Sequence, residues 1–363
     1  MSVVSKKVMI AAGGTGGHIY PALALAQELE SKYEVVWLSG SSGLEAKLLK
    51  DTPWPSHTTT ILPLRGRSLF SKVKALLGLG IAMLQNCYFM YRYKPEFVLV
   101  TGGYVGFASA VVAYCMGIKM YVCEQNKVAG MSNRYLASMA TAIFTAYPSV
   151  FSGYESKSFV YGNPLRTAVR DAALDKQAEV GVDAVQTQFK VLVLGGSHGA
   201  QALNTQIPEL LGLCPQKQQL SIAHQCGAAH DPIELKQRYS TSGITAEVSA
   251  FWHDIQEKYK WADVVIARAG ALTISELQAM ALPTILIPLP SSQDQHQLYN
   301  AKYCDMYGAA LLLEQRHLSS ADGLVRKINL LQCNQQKRRL MGIQARKLSK
   351  LDAVKKIVAH CTR

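Results

Sequence analysis

Short runs of Val, Ile and Leu recur at 8–12, 35–39, 97–101, 120–124, 190–194, 220–225, 264–267 and 284–288, separated by stretches with apolar residues at helical spacing. Runs that are apolar throughout, rather than alternating, mark strands buried on both faces, so the pattern predicts parallel sheets covered by helices. After the first run, Leu23, Ala26 and Leu29 share a helix face, and Pro21 is expected in that helix's opening turn. From Lys337 onward, Leu340, Ile343, Leu348, Leu351, Val354 and Ile357 fall near one face amid Lys and Arg, which predicts an amphipathic C-terminal helix. The sequence holds no short-period repeat and no low-complexity tract.

A chain of 363 residues is past the size at which one core keeps growing, so two domains are expected. The boundary falls between 161 and 188, where Gly162-Asn163-Pro164 signals a turn and a polar segment follows. This gives an N-terminal domain of 1–163, a C-terminal domain of 164–340, and a tail of 341–363 expected to pack back toward the N-terminal domain.

Each half opens with a glycine-rich turn between strand and helix: Gly13-Gly14-Thr15-Gly16-Gly17-His18 and Gly195-Gly196-Ser197-His198-Gly199-Ala200. Glycine permits the positive φ and close backbone approach that such a turn needs, and the helix behind it offers N–H groups and a partial positive charge to an anion. Neither turn continues into Gly-Lys-Ser/Thr or into the Gly-x-Gly-x-x-Gly spacing, and the second strand ends in Ser39 rather than an acid, which disfavours a nicotinamide site. Taken alone, each turn also reads as a packing corner between strand and helix. Because ligands of open parallel sheets bind beyond the carboxyl ends of the strands, two such domains predict two turns facing one cleft, as in a two-substrate transferase.

The net charge of +13 points to an anionic partner: nucleic acid, anionic lipid or a phosphorylated substrate. Nucleic acid is disfavoured, since the basic residues do not alternate with an aromatic stacking platform and no known module is present. Eight cysteines without regular spacing read as thiols in a reducing compartment, and the N-terminus runs directly into the first strand, so a cytoplasmic location is expected. The apolar run 75–84 is too short to cross a bilayer. Between Asp51 and Glu96 there is no acid, whereas Arg65, Arg67, Lys72, Lys74, Arg92 and Lys94 are interleaved with Leu69, Phe70, Val73, Leu76, Leu77 and Leu79. That segment suits an anionic membrane surface, or else it is a solvated helix with its apolar side in the core.

Chemistry concentrates in the second half at Arg268-Ala269-Gly270-Ala271-Leu272-Thr273-Ile274-Ser275-Glu276, where a carboxylate at a helix start can accept hydrogen bonds from a ribose diol. Thr273 and Glu276 also have the spacing of a capping box. Downstream, Asp294, His296, Gln297 and Asn300 form a dense polar group after Pro288-Leu289-Pro290, read either as ligands or as a solvated loop.

Together with Glu124-Gln125-Asn126, Ala129-Gly130, Asn133, Gly162-Asn163-Pro164-Leu165-Arg166 and His224-Gln225, these motifs resemble, in order, the bacterial peptidoglycan N-acetylglucosaminyltransferases that make lipid II from lipid I. The resemblance implies two Rossmann-like parallel-sheet domains facing a cleft (the glycosyltransferase B fold), with UDP-N-acetylglucosamine held mainly by the C-terminal domain and lipid I by the N-terminal, membrane-associating one. It implies that Ser197 meets the donor diphosphate and that Asn126 and Arg166 help fix the donor from the interdomain side. Ala271, Leu272, Thr273, Ile274 and Ser275 would support the phosphates, and Glu276 would take the ribose. Phe251 and Trp252 would border the uracil, and His296 and Gln297 would read the sugar. Thr15, Gly16 and Gly17 would line the meeting point with the acceptor. His18 would be the catalytic base in one inverting displacement by the muramoyl C4 hydroxyl, with Glu124 as rival base or orienting partner; His18 alone also reads as a helix-start residue bonded to backbone. The absence of an Asp-x-Asp motif accords with chemistry needing no metal and no cofactor. The implied location is peripheral, on the cytoplasmic face of the inner membrane. The family commonly carries His where this chain has Cys123, Ser and Pro where it has Gly106 and Ala108, and a smaller aliphatic residue at Trp252. A two-domain UDP-sugar transferase with another lipid or soluble acceptor is the alternative within enzymes.

Overall fold

The computed structural model describes residues 6–40, 43–60, 69–178, 188–196, 199–318, 320 and 323–363. The chain forms two compact units, Met1–Arg166 with Leu351–Arg363, and Thr167–Lys350.

The first unit runs β1 (Lys7–Ala11), α1 (Gly16–Leu29), β2 (Glu34–Ser39), α2 (Gly43–Leu49), β3 (Ser56–Thr58), α3 (Leu69–Tyr93), β4 (Phe97–Val100), α4 (Gly103–Cys115), β5 (Lys119–Glu124), α5 (Met131–Leu136), β6 (Ala142–Thr145) and β7 (Ser158–Val160). Its seven strands pair in the order β3-β2-β1-β4-β5-β6-β7, all in parallel. Alternate residues of β1 feed opposite cores: Val8 and Ile10 pack with α1, whereas Met9 and Ala11 pack on the side of α4. Burial on both faces is why these strands read as unbroken apolar runs.

The second unit runs α6 (Thr167–Ala178), β8 (Phe189–Leu194), α7 (Gln201–Gly212), β9 (Leu220–Gln225), α8 (Pro232–Thr241), β10 (Ala246–Ser249), α9 (Ile255–Trp261), β11 (Val264–Ala267), α10 (Ala271–Ala279), β12 (Thr284–Leu286), α11 (His296–Met306), β13 (Leu311–Leu312), α12 (Leu324–Cys333) and α13 (Gln335–Leu348). Its strands pair in the order β10-β9-β8-β11-β12-β13, again all in parallel. The predicted α/β class with two parallel sheets is what the chain adopts. The apolar pattern misses β3, β6, β7, β10 and β13.

Two local expectations fail. Pro21 lies in the second turn of α1, not its opening turn, because the helix already begins at Gly16. The amphipathic tail is two helices, since Ser349 adopts extended backbone (φ −68°, ψ 146°) and ends α13. α13 stays with the second unit and leaves Leu340 and Ile343 exposed. α14 (Ala353–Cys361) belongs to the first unit, where Val354, Ile357, Val358 and Cys361 enter the core beside α1. The chain therefore returns to the first unit at residue 351, not 341.

Candidate active site

In both sheets the strand order reverses at one place, between β1 and β4 in the first unit and between β8 and β11 in the second. Helices leave opposite faces there, and their N-termini open a crevice at the carboxyl ends of the strands. Of the sequence-predicted residues, both glycine turns, His18 and the run from Arg268 to Glu276 lie at these two points, whereas Glu124 and Asn126 follow β5, Trp252 follows β10, and His296 and Gln297 follow β12.

In the first unit, the turn after β1 has Gly14 at φ +96°, and Thr15 leads into α1. Gly14 N donates to Glu45 Oε1 at 2.6 Å, and a Cβ at Gly13 would stand 2.6 Å from that same oxygen. Glu45 is 1% exposed, so α2 carries a buried carboxylate tucked beneath the turn. Thr15 and Gly17 are exposed, and Gly16 and His18 are half-buried.

His18 Nδ1 lies 2.8 Å from the Thr101 carbonyl oxygen, and Thr101 Oγ1 donates to the His18 carbonyl at 2.9 Å. A carbonyl can only accept, so Nδ1 carries a proton, and in the neutral ring the lone pair is on Nε2. The ring rests on Gly102 (φ +114°), where a Cβ would come within 2.9 Å of it. Gly103, at φ +78°, begins α4. Thr101-Gly102-Gly103 is thus a third strand-to-helix glycine turn, which the sequence reading passed over although it repeats the signal of the other two.

Glu124 ends β5 and is 3% exposed. Its Oε1 accepts from Asn126 N at 2.9 Å and Asn126 Nδ2 at 3.1 Å, and its Oε2 accepts from Gly130 N at 2.9 Å and Asn133 Nδ2 at 2.8 Å. The carboxylate is saturated by the loop it organises, which suits an orienting residue better than a base. The Asn163 side chain ties in by donating to the Gln125 carbonyl at 3.2 Å, and the Arg166 guanidinium lies 5.1 Å over the Tyr20 ring of α1. Three of the four departures from the family pattern fall behind this site: Cys123 and Ala108 are buried, and a side chain at Gly106 would run into Val100.

In the second unit, Gly196 (φ +90°) and Gly199 (φ +80°) carry the turn from β8 to α7, and a Cβ at Gly199 would run into the Cys226 carbonyl. Ser197 lies outside the described residues, as do Arg65 and Arg67. Across the switch point, Ala271, Leu272 and Thr273 form the leading turn of α10, the end of a helix that favours anions. The capping-box alternative is not realised: Gly270 is the cap, no side chain bonds there, and Glu276 sits in the second turn. Ile274 is buried in the core, and Ser275 Oγ donates to the Ala271 carbonyl at 3.0 Å. Glu276 is 5% exposed and accepts from the Tyr259 hydroxyl at 2.8 Å.

Arg268 is nearly buried, donating to the Ile287 and Pro288 carbonyls at 3.1 and 3.2 Å and to Gln315 Oε1 at 2.6 Å. Burial lowers its pKa to about 10, so it keeps a positive charge near neutrality, held by neutral oxygens. The backbone entering α11 is unusual, with Asp294 and Gln295 at φ +46° and +53°. His296 Nε2 stands 3.7 Å from Asp294 Oδ2, and Gln297 Oε1 accepts from Leu289 N at 2.9 Å, which leaves the Gln297 amide nitrogen its donors. Asn300 is fully buried and donates to the Ala269 carbonyl at 3.3 Å, tying α11 to the loop before α10. This group is therefore not merely a solvated loop. Trp252 N donates to Gln225 Oε1 at 3.2 Å, and the Lys258 ammonium lies 5.1 Å over the Trp252 ring. Glu45, Thr101, Gly102 and Tyr259 were not singled out from sequence; only Gly102 carried a local signal.

The N-terminal domain of glycosyltransferase family 28 matches residues 8–145, and the C-terminal domain of that family matches 190–357. The chain is 39% identical over 355 residues to the UDP-N-acetylglucosamine–N-acetylmuramyl-(pentapeptide) pyrophosphoryl-undecaprenol N-acetylglucosamine transferase of Ectopseudomonas mendocina, covering 98% of this chain and 97% of the relative. It is 38% identical to the protein of the same description from Chromohalobacter salexigens, covering 98% and 96%. The crystal structure of MurG from Acinetobacter baumannii superposes with a TM-score of 0.80 at 30% identity, covering 98% of this chain and 99% of that one.

Proposed function

The chain belongs to glycosyltransferase family 28, and from that premise we propose how its residues divide the work of sugar transfer. It is an N-acetylglucosaminyltransferase that moves the sugar from UDP-N-acetylglucosamine to lipid I, giving lipid II in peptidoglycan synthesis.

The observation that carries the assignment of roles is the His18 ring, anchored through Nδ1 and open at Nε2. The C4 hydroxyl of the muramoyl sugar attacks the anomeric carbon of the donor. Its new C–O bond forms as the bond to the diphosphate breaks, the configuration inverts, and the hydroxyl proton passes to His18 Nε2. Thr15, Gly16 and Gly17 border the acceptor. Glu124 shapes the Asn126 loop, and Asn126 and Arg166 bind substrate.

The second unit holds the donor. Ser197 and the leading turn of α10 meet the diphosphate, whose negative charge grows as UDP leaves, and fixed backbone dipoles stabilise that charge without reorganising. Glu276 takes the ribose hydroxyls, Trp252 borders the base, and His296 and Gln297 read the sugar.

The exposed face of α3 supports a peripheral role at an anionic membrane on the cytoplasmic side. Leu77, Ile81, Leu84, Tyr88 and Tyr91 line it at 49–74% exposure, whereas its buried face carries Gly78, Ala82, Asn86 and Met90. Asn86 is satisfied there, accepting from Ser109 Oγ at 3.1 Å and donating to the Ala82 carbonyl at 2.8 Å. A row of large apolar side chains left exposed along a helix suits insertion among lipid headgroups. Among the described residues no helix is long and apolar enough to cross a membrane. The product feeds cell-wall growth, and through it cell shape and division. The assay that tests the whole reading is transfer of radiolabelled N-acetylglucosamine from its UDP donor to a lipid I analogue, compared with diacylglycerol and soluble acceptors; equal transfer to all would overturn the acceptor assignment.

A further inference from the structure

Glu276 stands in the second turn of α10, past the N–H groups that lead the helix. One group that holds its carboxylate comes from another helix. Tyr259 on α9 is 2% exposed, and its hydroxyl donates to Glu276 Oε2 at 2.8 Å. Fixing a glutamate side chain costs up to about 2 kcal/mol of rotamer freedom, which a ligand would otherwise bear on binding. A carboxylate ordered beforehand by a buried phenol presents its acceptors in one geometry.

The helix that supplies this phenol is itself anchored. Lys258, next to Tyr259, bonds both carboxylate oxygens of Glu247 on β10, at 2.6 and 2.7 Å, and its ammonium also lies over Trp252. Two consecutive residues of α9 thus support the residue assigned to the base and the residue assigned to the ribose. If Tyr259 only filled space, phenylalanine would serve as well. Here its hydroxyl answers an oxygen of a nearly buried acid, and that oxygen would lose this donor.

We propose that Tyr259 is a positioning residue for donor selection, holding the Glu276 carboxylate so that it accepts from the ribose hydroxyls and the enzyme prefers a ribose donor to a deoxyribose one. This rests on the assignment of the ribose to Glu276, and the experiment separates the two. Apparent kcat and KM are measured for UDP-N-acetylglucosamine and its 2′-deoxyuridine and 3′-deoxyuridine counterparts, with the unaltered enzyme, Tyr259→Phe and Glu276→Ala, at saturating lipid I analogue. The unaltered enzyme is expected to prefer the ribose donor by about 100-fold, the worth of a hydrogen bond to a charged group. Tyr259→Phe is expected to lower that preference about tenfold and to raise the donor KM about tenfold, with kcat within about twofold. Glu276→Ala is expected to abolish the preference. Full preference in Glu276→Ala would overturn both readings. Lost preference in Glu276→Ala with unaltered preference and KM in Tyr259→Phe would overturn the role of Tyr259 alone, whatever the thermal stability of that variant.

Discussion

His18 and Thr101 hold each other twice, side chain to backbone in both directions: the imidazole Nδ1 against the Thr101 carbonyl at 2.8 Å and the Thr101 hydroxyl against the His18 carbonyl at 2.9 Å. The two bonds join the first turn of α1, which follows β1, to the residue after β4, at the place where the strand order reverses. They fix both the tautomer and the plane of the ring, so the remaining nitrogen points one way as an acceptor.

Replacing His18 by Gln keeps a polar side chain but removes the basic nitrogen. Turnover at saturating donor and lipid I analogue should fall by about 10²–10⁴, with both KM values little changed. Steady-state transfer rates check this, and a variant within about threefold of normal turnover would sink the assignment of His18 as base.

Gly102→Ala should damage the same step from behind. Its φ of +114° is strained for alanine, and the new methyl would sit 2.9 Å from the His18 ring. We expect kcat to drop by about tenfold or more, with about 1–3 kcal/mol of stability lost. Unfolding by urea alongside the transfer assay separates the two effects; unchanged turnover would mean that the ring's seat is irrelevant.

Glu124→Gln distinguishes an organiser from a base. The carboxylate accepts from four donors, whereas an amide accepts on one oxygen and turns its own N–H groups toward the others. A loss of about 2–4 kcal/mol in unfolding free energy is expected, accompanied by raised KM values. A selective collapse of kcat with stability intact would restore Glu124 as the base.

His224 makes stability depend on pH. It is fully buried on β9, its Nδ1 is 2.8 Å from the Tyr239 hydroxyl, and Nε2 has no partner among the described residues. Burial lowers its pKa from 6.5 to about 3. The unfolded chain therefore takes up this proton below pH 6.5 while the folded one resists until about 3, so this contribution to stability is present above 6.5 and is lost as pH falls through that window. Between pH 7 and pH 5 the loss from this residue is about 2 kcal/mol. Urea titrations at the two pH values should show it, and His224→Phe should show that much less dependence.

The membrane reading is tested on α3. Exchanging exposed Leu84 and Tyr91 for Ser should weaken sedimentation with anionic vesicles by about tenfold or more while leaving the fold intact. Equal binding to neutral vesicles, or indifference to salt, would refute it.

The sequence announced what is local and periodic. The strands of both sheets around their reversal points were legible because Val8 to Ala12 or Val264 to Ala267 cannot be anything but buried on both faces. Glu45 was not legible. Its bond to Gly14 spans 31 positions, and nothing in the composition of α2 distinguishes it from a solvated acid. Tyr259 was hidden for the same reason, as its partner is on another helix. At Glu276 the capping-box alternative fails, because spacing alone cannot tell where a helix begins. The tail was misread as one helix because a single apolar face was traced through Ser349, a residue whose extended backbone the pattern does not reveal.

α14 also has a consequence for the order of synthesis. The second unit is continuous from Thr167 to Lys350, but the first unit is built from Met1–Arg166 and Leu351–Arg363. On the ribosome the first sheet emerges early and must wait through the whole of the second unit before Val354, Ile357 and Val358 arrive to cover its core beside α1. The unit that begins first is thus completed last, and a stalled or clipped chain would carry a finished second unit and a first unit with its core open to water.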